Sequence, residues 1–265
     1  MASLPTGPVD LILFLGQSNL AGRGVTSPRW PQAAPPALPG AGWEYRAISA
    51  PGRLSPLEEP FGRWENRPGG IDDGTKKTGS LVTPFVNAYY TLTGTPVVAL
   101  SASKGGSSLL QWQPGGAFWQ DLLSRWQSAR DYLAQAGIPV RHQFVVWCQG
   151  ETDGDEGSSE AAYQIKFRRL YDALLAQGME TCFLIQIGRY NGPKGYDYAP
   201  IRRAQEALAE ELTHVVMVSR AFETMQARGL MKDEFHYYQA AYNEVGTLAG
   251  ARAGRYVNDM KFSPQ

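Results

Sequence analysis

Apolar residues fall into short, nearly unbroken runs separated by stretches with helical spacing. Leu11–Leu15, His142–Trp147, Thr181–Ile187 and Val215–Val218 are such runs, and Pro96–Ser101 is a fifth. Runs of this length without polar alternation belong to strands buried on both faces, as in a parallel sheet covered by helices. Between and after them, Leu81–Leu92, Phe118–Ala134, Ala161–Leu175, Pro200–Leu212 and Tyr238–Tyr256 read as helices. Phe118, Leu122, Trp126, Ala129 and Leu133 share one helical face, and so do Tyr163, Phe167, Leu170, Tyr171 and Leu174. The alternation predicts right-handed crossovers and an α/β, doubly wound parallel sheet of about five strands with helices on both faces.

One stretch breaks the pattern. Gly22 to Gly79 is rich in proline and glycine and has little periodicity, yet it holds Trp30, Trp43, Tyr45, Phe61 and Trp64. We expect a long ordered insertion at about 23–78 inside a single domain spanning 1–265, not a second domain. A loop this long in a compact domain is usually functional. It is either a wall or lid of a substrate cleft or a surface excursion held by aromatic packing.

Composition narrows the classes of function. The chain has 265 residues, 43% of them hydrophobic, enough for a sizeable core. Lys plus Arg and Asp plus Glu number 25 each, so the formal charge is zero. No basic stripe for nucleic acid and no membrane-directed patch is present, and neither partner is expected. Leu11–Leu15 is far too short to span a bilayer and follows Asp10 instead of a basic leader. The expected location is therefore cytoplasmic, or secreted if a leader has been removed. The cysteines, Cys148 and Cys182, lie at opposite ends of adjacent predicted strands, too far apart for a disulfide, and are expected to be free thiols.

In open α/β sheets ligands bind beyond the carboxyl ends of the strands. The predicted strands are followed there by Gly16-Gln17-Ser18-Asn19, Ser103-Lys104-Gly105-Gly106-Ser107, Gln149-Gly150-Glu151-Thr152-Asp153, Gly188-Arg189-Tyr190-Asn191 and, last, Asp233-Glu234-Phe235-His236. His142 opens a strand and His214 precedes one, so both belong to the opposite edge. His236 is thus the candidate base for a Ser18 nucleophile. Asp233, three residues before it, can hold one ring nitrogen, cap the local turn, or do both. Ser18 itself reads as a nucleophile or as a helix N-cap. Asp153, Asp155 and Glu156 lack the spacing of a calcium loop and read as a solvated acidic turn; no metal site is expected.

Taken in order, Gly16-Gln17-Ser18-Asn19-Leu20-Ala21-Gly22, Trp147-Cys148-Gln149-Gly150-Glu151-Thr152-Asp153 and Asp233-x-x-His236 resemble the motif blocks of the SGNH hydrolase superfamily. They are most similar to its sialate O-acetylesterase and acetylxylan esterase branch, carbohydrate esterase family 6. The resemblance covers about Val9 to Gly250. It implies a flavodoxin-like sheet, Ser18 as nucleophile, His236 as base, Asp233 as its orienter and no cofactor. It also implies an oxyanion hole made by the Ser18 N–H, a glycine N–H and the Gln149 side chain. Gly79 best matches that glycine, although Ser80 stands where the family has proline; Gly106 is the fallback. Glu151 either joins Asp233 in orienting the histidine or shapes its own loop.

Gln17, Lys104, Gly106 and Arg189 are further candidates for substrate contact, with solvated surface charge as the plainer reading of the two cations. Trp112 and Trp119 either stack on a sugar or pack the long helix. The expected activity is removal of O-acetyl groups from a small acetylated saccharide through an acetyl-enzyme. The alternatives are a lipid or aryl esterase on the same scaffold and an inactive sugar-binding protein. No motif here speaks to oligomeric state.

Overall fold

The computed structural model describes residues 4–260. Its elements are, in chain order, β1 Val9–Gly16, α1 Ser18–Ala21, β2 Gly42–Tyr45, β3 Leu54–Pro56, α2 Val82–Thr93, β4 Val97–Ser103, α3 Ala117–Gln135, β5 Val140–Cys148, α4 Glu151–Asp155, α5 Glu160–Ala176, β6 Thr181–Ile185, α6 Ala199–Glu211, β7 Val215–Ser219, α7 Phe222–Met225 and α8 Gln239–Met260. A 3-10 turn, Leu109–Trp112, follows β4.

The strands form one sheet in the order β3-β2-β4-β1-β5-β6-β7. It has seven strands, where the apolar runs predict about five. The two extra strands, β2 and β3, come from the insertion. They are four and three residues long, too short to show a periodicity. β2 adds parallel to β4, and β3 closes the edge antiparallel to β2. The remaining pairs are parallel.

After β1 the chain first builds on one side, at β4, and then crosses to the other, at β5. That reversal leaves a crevice at the carboxyl end of β1, the switch point where doubly wound sheets bind their ligands.

Each face of the sheet carries its own core. Leu11, Leu13 and Leu15 meet Trp126 of α3, Phe167 and Leu170 of α5, and Ile201 and Leu208 of α6. Ile12 and Phe14 point the other way, toward Phe85 of α2 and Val245 and Ala249 of α8. Burial on both faces is why these strands show no polar alternation. α2 and α8 approach closely because α8 presents glycines: a Cβ on Gly250 would lie 2.1 Å from the Phe85 carbonyl oxygen.

Buried polar contacts fasten the insertion to this frame. The Arg125 guanidinium donates to the carbonyls of Glu65, Ile71 and Ser101. The Glu65 carboxylate accepts from the backbone of Ile48 and Ser49. Lys77 Nζ donates to the Gly62 carbonyl at 2.9 Å and to Ser101 Oγ at 3.2 Å. Of the aromatics that mark this stretch in the sequence, Trp43, Tyr45 and Phe61 are buried, whereas Trp64 is 57% exposed.

Burial lowers the Lys77 ammonium to about 8 despite the nearby Asp73 carboxylate. Below pH 8 folded and unfolded chains both hold this proton, and the penalty for burying the charge is fully present. Between about 8 and the ordinary value of 10.5 the unfolded chain holds more of it. This group's contribution to stability therefore rises with pH there, by up to about 1.4 kcal/mol per pH unit. Denaturant unfolding at several pH values should show a shallower rise in Lys77→Met than in the native chain. Equal slopes would mean that Lys77 does not titrate in that window.

Cys148 and Cys182 are both free and buried. Cys182 lies opposite Val145, so it falls short of Cys148 along the paired strands. Among the described residues no helix is long and apolar enough to cross a membrane.

Candidate active site

A cleft of about 250 Å³ opens at the carboxyl end of β1. Gln17, Ser18, Arg23, Gly106, Glu151 and His236 line it, together with Lys76, Gly105, Thr152, Asp155 and Phe235. A larger cavity of about 680 Å³ lies against α3, beside Tyr45, Asp131 and Tyr132, but no serine–histidine pair lines it.

β1 ends at Gly16, where only glycine fits against β5: a Cβ on Gly16 would lie 2.1 Å from the Cys148 carbonyl oxygen. The chain turns at Gln17 straight into α1, which leaves Ser18 as its first residue, 5% exposed. Gln17 is held by its own side chain, whose Oε1 accepts from the N–H of Gly150 at 3.0 Å. It therefore joins the β1 turn to the β5 turn while lining the cleft.

Asn19 supplies the link to the histidine. Its two Nδ2 protons go to Glu151 Oε1 at 2.5 Å and to the Phe235 carbonyl at 3.1 Å. Its Oδ1 accepts from Tyr242 of α8 at 2.7 Å. One buried amide thus fixes the short helix that begins at Ser18, the Glu151 turn and the peptide just before His236. The sequence marks Asn19 only as a motif letter.

His236 Nδ1 lies 3.0 Å from Asp233 Oδ2. The other oxygen, Oδ1, accepts from the N–H groups of Phe235 at 2.8 Å and His236 at 2.7 Å. Asp233 therefore caps the turn and holds the ring at once. Partial burial pushes this carboxyl up, but the hydrogen bonds from the His236 ring and from those two amides outweigh it. The group stays well below the usual carboxylate range. Among the described residues no hydrogen bond joins Ser18 Oγ to the imidazole, though both face the same cleft. Such bonds are often long before substrate binds.

Glu151 is buried beside His236 and does not bond to it. Burial raises its carboxyl above the usual range, partly offset by the Asn19 hydrogen bond. Its Oε2 has no hydrogen-bond partner among the described residues.

Several sequence candidates lie elsewhere. Gly79 does not line the cleft; its carbonyl accepts from Gly24, and a Cβ there would meet Gln239 Oε1 at 2.2 Å. Gln149 is buried, with both amide protons committed, to the Ser107 carbonyl at 3.1 Å and to Asp153 Oδ2 at 2.6 Å. Neither supplies a free donor to the cleft. Gly106, the fallback, does line it, in the left-handed region at φ 66°, with no partner for its N–H among the described residues.

Lys104 sets its ammonium over the Phe118 ring, and Arg189 pairs with Glu223; neither lines the cleft. Trp112 and Trp119 are buried in the core. Of the acidic turn only Glu156 is exposed as expected. Asp153 is fully buried, accepting from the Leu109 N–H and pairing with Lys166, and Asp155 accepts from Tyr198. His142 and His214 stand at the amino ends of β5 and β7, away from the cleft.

The Gln149 network yields a stability prediction. Gln149→Leu strips a donor from buried Asp153 and from the Ser107 carbonyl. A loss of about 2–3 kcal/mol is expected in denaturant unfolding. Unchanged stability would mean that these bonds are readily replaced.

A family model described as carbohydrate esterase, sialic acid-specific acetylesterase, matches residues 8–253. No curated protein matches the sequence. Three solved structures resemble the whole fold. A protein from Arabidopsis thaliana is 25% identical, with TM-score 0.66 over 94% of this chain and 99% of its own. NanS is 16% identical, with TM-score 0.62 over 97% of this chain and 99% of its own. A variant of Axe2, an acetyl-xylooligosaccharide esterase from a Geobacillus, is 15% identical, with TM-score 0.51 over 95% of this chain and 96% of its own.

Proposed function

The chain belongs to the carbohydrate esterase family of sialic acid-specific acetylesterases, and we propose that it removes O-acetyl groups from a small acetylated saccharide by serine catalysis. The observation that carries this reading is the shared cleft. Ser18 and His236 line it together, and Asp233 holds the far nitrogen of the imidazole at 3.0 Å. The chain acts as one unit, with the 23–78 segment as a wall of the cleft.

In this scheme Asp233 keeps the proton on His236 Nδ1, which leaves Nε2 as the acceptor. Ser18 Oγ attacks the acetyl carbonyl carbon while its proton passes to Nε2. The carbonyl π pair moves onto oxygen, where the N–H groups of Ser18 and Gly106 stabilise it. The tetrahedral intermediate collapses, the sugar oxygen leaves with the proton from Nε2, and the acetyl group stays on Ser18. Water then attacks the acetyl carbon, giving its proton to Nε2. Collapse returns a proton to Oγ and releases acetate. The side chains carry every proton transfer.

The cleft suits a small substrate. At about 250 Å³ it lies below the range of roughly 300–1,000 Å³ typical of drug-sized ligands. Polar groups also ring it, among them Arg23, Lys76, Glu151 and Asp155. Acetate release across a panel of acetylated xylo-oligosaccharides, acetylated sialic acids and aryl esters of increasing chain length tests the reading. Turnover of the acetylated sugars with a sharp fall beyond butyrate is expected. A best substrate longer than butyrate would defeat it.

A further inference from the structure

We propose that Asp73, carried by the insertion, is a positioning residue that tethers the Lys104–Gly106 turn and so sets where the Gly106 N–H meets the developing oxyanion. The inference rests on the Ser18 reading above.

Asp73 is almost fully buried and lies 50 residues from its main partner. Its Oδ1 accepts from the Gly105 N–H at 2.8 Å. Arg23 Nη2 lies 2.9 Å from Oδ1 and 2.7 Å from Oδ2. Arg23 also donates to the Gly22 carbonyl, at the end of the nucleophile's helix. A single carboxylate thus joins the segment after Ser18, the insertion and the turn after β4. Asn66 steadies it from behind, accepting from the Asp73 N–H at 2.9 Å.

The turn needs such a tether because two glycines build it. Consecutive glycines have wide backbone freedom, and the N–H of Gly106 belongs to the peptide between them. That peptide can swing unless something holds Gly105. The seat is tight: a Cβ on Gly105 would lie 2.4 Å from Arg23 Nη2, 3.0 Å from Asp73 Oδ1 and 3.4 Å from Ser18 Cβ. The held residue is therefore beside the nucleophile. An N–H displaced by about 1 Å from the oxyanion loses much of its effect on the rate.

The test uses three variants of the full chain with 4-nitrophenyl acetate. Asp73→Ala removes the tether. The double variant Asp73→Leu/Arg23→Met removes it without leaving the Arg23 charge unpaired, and so keeps the test open if the alanine variant fails to fold. Asp73→Asn keeps an oxygen for the Gly105 N–H. We expect kcat to fall about ten- to a hundredfold in the first two, with KM changed less than about threefold. Affinity for a trifluoromethyl ketone, which forms a tetrahedral adduct with a serine, should fall in step with kcat/KM. Asp73→Asn should recover kcat to within about fivefold of native. A folded tether-less variant with kcat within twofold of native overturns the proposal, even if its Tm has dropped. A loss in Asp73→Asn as large as in Asp73→Ala also overturns it, because charge rather than the tether would then matter. Ser18→Ala run alongside separates the two ideas. If that variant still turns over, the serine reading fails; if it is dead while the Asp73 variants are normal, only the tether fails.

Discussion

Ser18→Ala is expected to lower kcat for acetyl esters by at least about a thousandfold while leaving the fold intact. The size follows from the role proposed for Ser18. Without Oγ no acetyl-enzyme can form, and what remains is the N–H groups and the bound substrate. Other triads keep only a residual rate of about 10³–10⁴ over water after such a loss, and the cost in kcat can approach about 10⁶. The intact fold follows from the surroundings. The Ser18 hydroxyl has no hydrogen-bond partner among the described residues, and its alanine replacement fits the same buried position on α1. No buried group is stranded, so Tm should move by a few degrees at most. Initial rates, a thermal melt, and mass spectrometry for a 42 Da adduct on a stalled native enzyme together check the prediction. Near-native hydrolysis by the variant would remove Ser18 from the chemistry.

That Ser18 and His236 share a cleft is legible in the sequence because it depends on coarse geometry. The five apolar runs become β1, β4, β5, β6 and β7 with ends shifted by only a few residues, and the residues after each strand must lie on one edge. The Asp233-x-x-His236 contact is equally local, since three residues on a turn share a side. What escapes is whatever depends on the path of an irregular segment or the direction of one side chain. β2 and β3 exist because Trp43 and Tyr45 can be buried beside β4, a tertiary reward without local periodicity. Gln149 has the right place in the motif, but its amide turns inward to buried Asp153. Arg23 and Asp73 are joined only through the fold, so neither composition nor spacing singles out the pair. Asp153 looks solvated in a run of acids until Lys166, one helix later, is seen to cover it.

The same geometry makes Asp233→Asn a sharper test of the histidine than its removal. Asp233 uses its two oxygens for different tasks: Oδ1 accepts from the N–H groups of Phe235 and His236, and Oδ2 faces His236 Nδ1. Asparagine can keep the first task, since its carbonyl oxygen accepts equally well from the backbone, so the turn and the ring position should persist. The second task reverses. An amide NH₂ now faces Nδ1 and donates to it, which places the ring proton on Nε2. In that tautomer Nε2 cannot take the proton from Ser18. The expected result is a loss in kcat of about 10⁴-fold with a Tm close to native. Asp233→Ala should instead lose stability along with activity, because both backbone caps go with the carboxylate. Rates and melts of the two variants decide the point. The ionised carboxylate matters here as well. Because its hydrogen bonds hold Asp233 well below the usual carboxylate range, the native enzyme keeps this acceptor ionised through the ordinary acidic titration of exposed carboxylates. A fall in activity toward acid therefore reports a group other than Asp233. An Asp233→Asn variant that retains most of its kcat would show that the imidazole tautomer is set elsewhere, and Glu151, buried with one oxygen unpartnered among the described residues, would be the group to replace next.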